Sequence, residues 1–61
     1  DPLAEALRDE NAKVRRSAAL ALLRIKSDKA ITPLTEALKD EDWEVRFYAA
    51  QALKAIRNNN P

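Results

Sequence analysis

The stretch "PLAEALRDENAKVRRSAALALLRI", residues 2–25, decides the fold because it returns later in the chain as "PLTEALKDEDWEVRFYAAQALKAI", residues 33–56. The offset is 31 residues, and 14 of the 24 aligned positions are identical. Self-similarity at such a period is the signature of a repeat protein. The 61 residues are therefore predicted to be two copies of one unit, residues 1–26 and 27–61, with the first helix of the first unit truncated.

Each unit is predicted to be a hairpin of two helices. Apolar residues recur at helical intervals of three and four positions. The predicted helices cover about residues 2–9, 11–25, 28–39 and 42–57. The longer helices carry buried stripes of Val14, Ala18, Ala21, Leu22 and Ile25, and of Val45, Ala49, Ala52, Leu53 and Ile56. The shorter helices face them with Leu3, Ala6 and Leu7, and with Ile31, Leu34, Ala37 and Leu38. The predicted fold class is all-α, a short α-solenoid of four helices.

Local signals mark where these helices begin and end. Asn11 and Asp42 suit the N-cap of the second helix in each unit, and Asp1-Pro2 suits an N-cap followed by the first helical residue. Pro33 removes a backbone donor, so we expect a bend or a late start in the third helix. The terminal "RNNNP" offers Asn as a left-handed cap and Pro as a stop.

Composition excludes several classes of function. The chain has no Cys and no His, which removes disulfides, thiolate nucleophiles, imidazole bases and the usual zinc ligands. Eleven Lys and Arg oppose ten Asp and Glu, so no net field favours nucleic acid or membrane. No apolar run is long enough to span a bilayer. We expect a soluble protein, cytoplasmic if natural, and the lack of Met and Gly suggests an engineered or excised fragment.

The shared pattern "PLxEALxDExxxVRxxAAxALxxI" resembles the short HEAT-like repeat of the phycobilisome-lyase type, and the second copy is similar to consensus-designed artificial scaffolds of that repeat. The resemblance implies hairpins stacked into a right-handed solenoid, with second helices lining its concave face. The family commonly has glycines between units, where this chain has Leu23 and Lys26. This departure leaves open a continuous helix through residues 25–28, although Ser27 favours a turn.

All three aromatic residues, Trp43, Phe47 and Tyr48, lie within two turns of the fourth predicted helix and away from its buried stripe. The resemblance implies that these are variable positions that meet a partner. The predicted partner-binding face is Trp43, Phe47, Tyr48 and Gln51 with Arg16 and Leu20 from the second helix. Two alternatives remain, which are local packing of Trp43 and Tyr48 and coverage of an open end of the solenoid.

Charged residues have mostly structural interpretations. The resemblance implies that Arg15 and Arg46 form a ladder with acidic turn residues of the same and adjacent units, where the planar fork of Arg suits carboxylates. The cluster Lys13, Arg15 and Arg16 admits a few phosphate contacts, but nearby acids favour a solvated face. The carboxylates of residues 36–44 show neither a catalytic pocket nor calcium-loop spacing, and acids near a helix start complement its dipole.

The predicted function is a non-enzymatic scaffold for protein interaction or self-assembly that uses the second-helix face. The predicted partner is another protein or a second copy of the chain, in a two-fold dimer that either stacks the open ends or exchanges hairpins through the glycine-free connection "RIKSD". No cofactor, metal or small-molecule substrate is predicted, and no membrane contact is expected. The alternatives are a designed folding unit with no natural partner and a fragment that binds nucleic acid.

Overall fold

The computed structural model of the chain describes residues 2–59. Within them lie four α-helices and one short 3-10 helix between the second and third. The elements are α1 (Pro2–Ala6), α2 (Ala12–Ile25), the 3-10 helix (Asp28–Ala30), α3 (Ile31–Ala37) and α4 (Trp43–Asn59). Since residues 2–59 contain no strand, the predicted all-α class is confirmed. α1 and α3 end earlier than predicted and α4 ends later, while the unit boundary at residues 26 and 27 stays a prediction.

The starts of the two long helices are fixed by side-chain caps, as the sequence predicted. The Asn11 side chain accepts a hydrogen bond of 2.8 Å from the Lys13 backbone N–H. Asp42 Oδ2 accepts one of 3.0 Å from the Val45 N–H. Each cap satisfies a donor that the first helical turn leaves without an intrahelical acceptor. The predicted Asp1 cap and the terminal Asn-Pro stop lie outside the described residues.

Pro33 is accommodated by a late helix start. The 3-10 helix Asp28–Ala30 leads directly into α3, which begins at Ile31. Pro33 is therefore the third helical residue, a position whose N–H would have no intrahelical acceptor in any case. A late start was one of the two outcomes expected, and it removes the need for a bend.

Lys26 ends α2 in a left-handed conformation, with φ 57° and ψ 40°, and its N–H donates to the Leu22 carbonyl. Ser27 then accepts a bond of 3.3 Å from the Lys29 N–H. The connection is thus a turn, and the continuous helix considered from the sequence does not form. Lys26 is the only residue within 2–59 with positive φ, a conformation that costs a side chain with a Cβ roughly 1–2 kcal/mol.

We predict that Lys26→Gly raises the free energy of unfolding by about 0.5–1 kcal/mol, because glycine adopts this conformation without the Cβ clash, although its freer unfolded chain offsets part of the gain. Thermal or urea unfolding followed by circular dichroism measures the change. Lys26→Ala is the matched control, since it removes the charge and keeps the Cβ. A gain in the alanine variant as large as in the glycine variant would assign the effect to charge.

The core lies between the two hairpins, and α2 and α4 make the most extensive contact in it. The buried apolar residues are Leu7, Ala18, Ala19, Leu22, Ala30, Leu34, Ala37, Val45, Ala49, Ala52 and Ile56. The stripe predicted for α4 is buried except for Leu53, which is half-buried. Within residues 2–59, no helix has the length and apolar character that a membrane crossing needs.

Four residues predicted to be buried are exposed: Val14, Ile25, Ile31 and Leu38. Val14 and Ile25 lie to one side of the α2 positions that α4 covers, and they correspond by the repeat to Val45 and Ile56, which are buried. Helical periodicity finds the apolar side of a helix, but only a neighbouring hairpin can bury it. The prediction was wrong at these positions because each hairpin is covered on one side only.

Candidate interaction surface

The candidate surface is built on the two long helices, α2 and α4, which pack against each other. Because α2 and α4 carry equivalent positions of the two units, Arg16 and Leu20 of α2 correspond to Phe47 and Gln51 of α4. The helical register places these four side chains away from the buried stripes. The surface formed by Arg16, Leu20, Trp43, Phe47, Tyr48 and Gln51 is called the groove face below.

Tyr48 lies between two shallow depressions of the groove face. One depression is lined by Lys13, Arg16, Ser17, Leu20, Glu44 and Tyr48. The other is lined by Leu23, Phe47, Tyr48, Gln51, Lys54, Ala55 and Asn58. The structure therefore brings together five of the six residues predicted from the sequence, and Tyr48 connects the two halves. The sixth, Trp43, lies one turn before Phe47 at the start of α4.

The three aromatic side chains differ in exposure. Trp43 is 65% exposed and Phe47 is 51% exposed, whereas Tyr48 is half-buried and packs against the core. The rings of Phe47 and Tyr48 meet edge to face, with centroids 5.6 Å apart and planes at 69°, a favourable aromatic geometry. Tyr48 is therefore packed locally and Trp43 is not, and the Phe47 ring contacts that of Tyr48.

The positive charge of Arg16 is paired within the groove face. Its Nη1 lies 3.2 Å from Asp42 Oδ1 and 3.9 Å from Glu44 Oε1. Because Asp42 also caps α4, this pair joins the second turn of α2 to the start of α4. Partial burial of all three side chains makes the pairing less screened than a fully exposed ion pair.

Arg15 of α2, which is not part of the groove face, connects the first hairpin to the second. Its Nη1 donates to the carbonyls of Asp9 at 2.6 Å and Glu10 at 2.9 Å. Its Nη2 donates to Asp40 Oδ1 at 3.3 Å, and Nε lies 2.9 Å from Asp40 Oδ2 in an ion-pair contact whose direction falls short of a hydrogen bond. The pairing with an acid of the adjacent unit agrees with the sequence prediction. The acceptors in its own unit are carbonyls, which the sequence did not indicate.

Arg46 repeats half of this arrangement. Its Nη1 donates to the Asp40 carbonyl at 2.6 Å, as Arg15 does to the carbonyl of Asp9. No carboxylate within residues 2–59 pairs with Arg46, and its side chain is exposed. The second guanidinium in the predicted ladder is therefore bound to its own unit only.

A polar depression beside Arg15 is crossed by an exposed ion pair, with Arg8 Nη2 2.5 Å from Glu36 Oε1. The hydrogen bond from Arg8 to Glu36, and then the charge of Glu36, raise the pKa of Arg8. Because the pKa of Arg8 is raised, the stability that its charge contributes is present below its ordinary pKa and is lost as pH rises through the raised value, in strongly alkaline solution. In the described part of the chain, no group of three or more acidic side chains is arranged to hold a metal ion.

Comparison with known proteins agrees with the internal repeat. The sequence profile described as HEAT repeats matches residues 1–61, the whole length of the chain. A comparison with curated proteins found no match. The match over both units, together with two helical hairpins whose long helices pack side by side, shows that this chain belongs to the HEAT-repeat family.

Proposed function

We propose that this chain is a non-enzymatic protein-interaction scaffold and that its groove face binds a protein partner. HEAT repeats generally mediate protein interactions. The observation that carries the proposal is the exposure of Trp43 and Phe47, at 65% and 51%, in a chain with only three aromatic residues. Both lie on the groove face, where Phe47 lines one of the depressions between α2 and α4 and Trp43 lies one helical turn before it.

The chemistry of the groove face suits a protein surface. Exposed aromatic rings bring large apolar area with few rotatable bonds, and they are enriched among the residues that dominate binding energy. Polar groups surround them, including Gln51 and the paired Arg16, as in the rim of an ordinary interface. The edge-to-face contact with the half-buried Tyr48 favours one orientation of the Phe47 ring, which reduces the ordering cost of binding.

Paired charges favour this role over the alternatives. A phosphate backbone needs cations that are free to replace its counterions, whereas Arg16 already contacts Asp42 and Glu44. The acidic residues near the turns have structural tasks, because Asp40 pairs with Arg15 and Asp42 caps α4. Carboxylates held in this way are poorly placed for acid–base catalysis, which requires convergent groups in a pocket.

We predict that Phe47→Ala weakens binding of a selected protein partner at least about tenfold, the loss typical of an interface hot spot. The probes are peptides selected from a displayed library on the 61-residue chain, with affinities measured by calorimetry. Trp43→Ala should have a comparable effect. Ile25→Ala is the matched control, since Ile25 is an apolar residue of similar exposure, 55%, outside the groove face. It should leave affinity within about twofold.

Binding should also shift the fluorescence of Trp43, the only tryptophan in the chain, to shorter wavelength as its indole leaves water. Selected peptides that tolerate both aromatic substitutions would contradict the proposal. Binding of a DNA duplex that is lost in Lys13→Ala and Arg16→Ala, but kept in Phe47→Ala, would establish the nucleic-acid alternative instead.

Two finer assignments belong to the same proposal. The period of 31 residues, shorter than the roughly 40–47 of ordinary HEAT units, supports the phycobilisome-lyase type of repeat. The complete absence of glycine, even at the left-handed Lys26, supports a designed origin for the sequence. Neither assignment changes which residues form the groove face.

A further inference from the structure

The second hairpin carries an uncovered copy of the face by which the first hairpin contacts it. Leu7 is 4% exposed, but its repeat counterpart Leu38 is 38% exposed. The same comparison holds for three further positions, where the first-hairpin residue is buried and its counterpart is half-buried or exposed: Arg15 and Arg46, Ala19 and Ala50, Leu22 and Leu53. Leu38, Arg46, Ala50 and Leu53 are called the tail face.

The first hairpin carries the complementary uncovered face. Val45 and Ile56 are buried in the contact between hairpins, whereas their counterparts Val14 and Ile25 are 37% and 55% exposed. Asp40, which pairs with Arg15, corresponds to the exposed Asp9. Asp9, Val14 and Ile25 are called the head face. The head face of the first hairpin is equivalent, through the repeat, to the surface with which the second hairpin contacts the first. The tail face of the second hairpin is equivalent to the surface with which the first hairpin contacts the second.

Charge makes the two faces complementary. Arg46 already donates to the carbonyl of its own turn at 2.6 Å, the distance at which Arg15 holds its own turn. Arg15 uses its remaining nitrogens to bind Asp40 of the next hairpin. Within residues 2–59, no carboxylate pairs with Arg46 as Asp40 pairs with Arg15, and no cation pairs with Asp9. The internal contact is therefore a template for an Arg46–Asp9 pair between two chains.

We infer that copies of this chain stack head to tail, with the tail face of one copy on the head face of the next. Leu38, Ala50 and Leu53 would be covered by Val14 and Ile25 of the neighbouring copy, and Arg46 would bind its Asp9. Because the two faces differ, each added copy leaves another pair of open faces, so the assembly is open-ended. It is therefore not the closed homodimer expected from the sequence. Of the groove face, the stack approaches only Gln51, which lines the same depression as Leu38, Ala50 and Leu53.

Sedimentation equilibrium across about a hundredfold range of concentration tests the stacking, since association is linked to concentration. We expect the average mass to rise from 6.9 kDa through that of the dimer without a plateau. A mass of 6.9 kDa at every concentration would overturn the inference. A plateau at the dimer would overturn it as well, because a closed dimer needs self-complementary faces.

A charge exchange tests the orientation of the copies. Arg46→Glu would place two acidic side chains opposite each other across the contact between copies, and Asp9→Arg would place two arginines there. Each variant alone should therefore need at least about tenfold more protein to associate. An equal mixture should recover association, because the Asp9→Arg variant keeps the native tail face and the Arg46→Glu variant keeps the native head face. Arg24→Glu, an exposed residue of α2 outside both faces, is the control and should associate normally. Failure of the mixture to recover, with both variants folded, would contradict head-to-tail contact.

Ala50→Glu keeps the test valid if the charge variants fold poorly, since Ala50 is exposed and makes no ion pair. It should raise the association midpoint at least about tenfold, by burying a carboxylate, and leave the helical dichroism unchanged. Asn58→Glu adds a charge to the same helix away from the tail face and should have no effect. Phe47→Ala should leave stacking intact, which separates this inference from the proposed role of the groove face. Unchanged association in a folded Ala50→Glu variant would overturn the stacking.

Discussion

Asp40→Ala is expected to lower the free energy of unfolding by about 3 kcal/mol, a large share of the roughly 3–9 kcal/mol typical of a domain of this size. The change removes the carboxylate that contacts Arg15 through both oxygens. The two side chains are only 10% and 12% exposed, so the guanidinium would be left largely buried with part of its hydrogen-bonding capacity unused. Urea unfolding followed by circular dichroism at neutral pH and low protein concentration measures the loss.

Asp9→Ala is the matched control for this prediction. Asp9 Oδ1 accepts a hydrogen bond of 2.9 Å from the Asn11 N–H, and Asp40 Oδ1 accepts one of 2.9 Å from the Asp42 N–H. The control therefore removes the same turn contact without touching an ion pair, and it should cost about 1 kcal/mol or less. Equal losses in the two variants would show that the pair with Arg15 adds nothing to stability.

Leu22→Ala is expected to cost about 2–5 kcal/mol, because Leu22 is 2% exposed and its removal leaves a cavity in the core between the hairpins. In so small a protein a loss at the upper end of that range would leave a large fraction of molecules unfolded at room temperature. The same unfolding measurement applies, and the variant should melt well below the parent chain.

Leu53→Ala serves as the control, since Leu53 is the repeat counterpart of Leu22 and is half-buried. We expect it to cost about 1–2 kcal/mol, because less apolar area is lost from the protein interior. The sequence assigns these two leucines the same place in the stripe, so periodicity alone predicts equal losses. Equal losses measured in dilute protein would mean that Leu53 is covered within the single chain.

The repeat and its helices were predictable because the period, the caps and the apolar spacing all agree along the chain. Burial was less predictable, as Val14 and Val45 illustrate. The two residues lie in the same local pattern, yet one is 37% exposed and the other is buried. The difference arises from which side of each hairpin has a neighbour, and that is a property of the assembled pair. No pattern within one helix contains this information.

The groove face was predictable in its positions and less so in its physical state. Trp43 and Phe47 are exposed as their helical angle predicted, but Tyr48 turns toward the core and packs there. Arg16 was predicted as part of a surface, and its pairing with Asp42 depends on how closely α2 approaches α4. Sequence spacing gives directions around one helix, whereas these contacts depend on the distance between two.

The contact between the long helices has a consequence for how the sequence can change. Four buried alanines, Ala18 and Ala19 on α2 with Ala49 and Ala52 on α4, contribute to the core. A methyl group has no rotamers to lose on burial, and a closely packed site has little room for a larger one. Positions on the same helix therefore differ in how many substitutions they tolerate. The alanine positions admit few substitutions, whereas the exposed positions Trp43, Phe47 and Gln51 can change at small cost to folding.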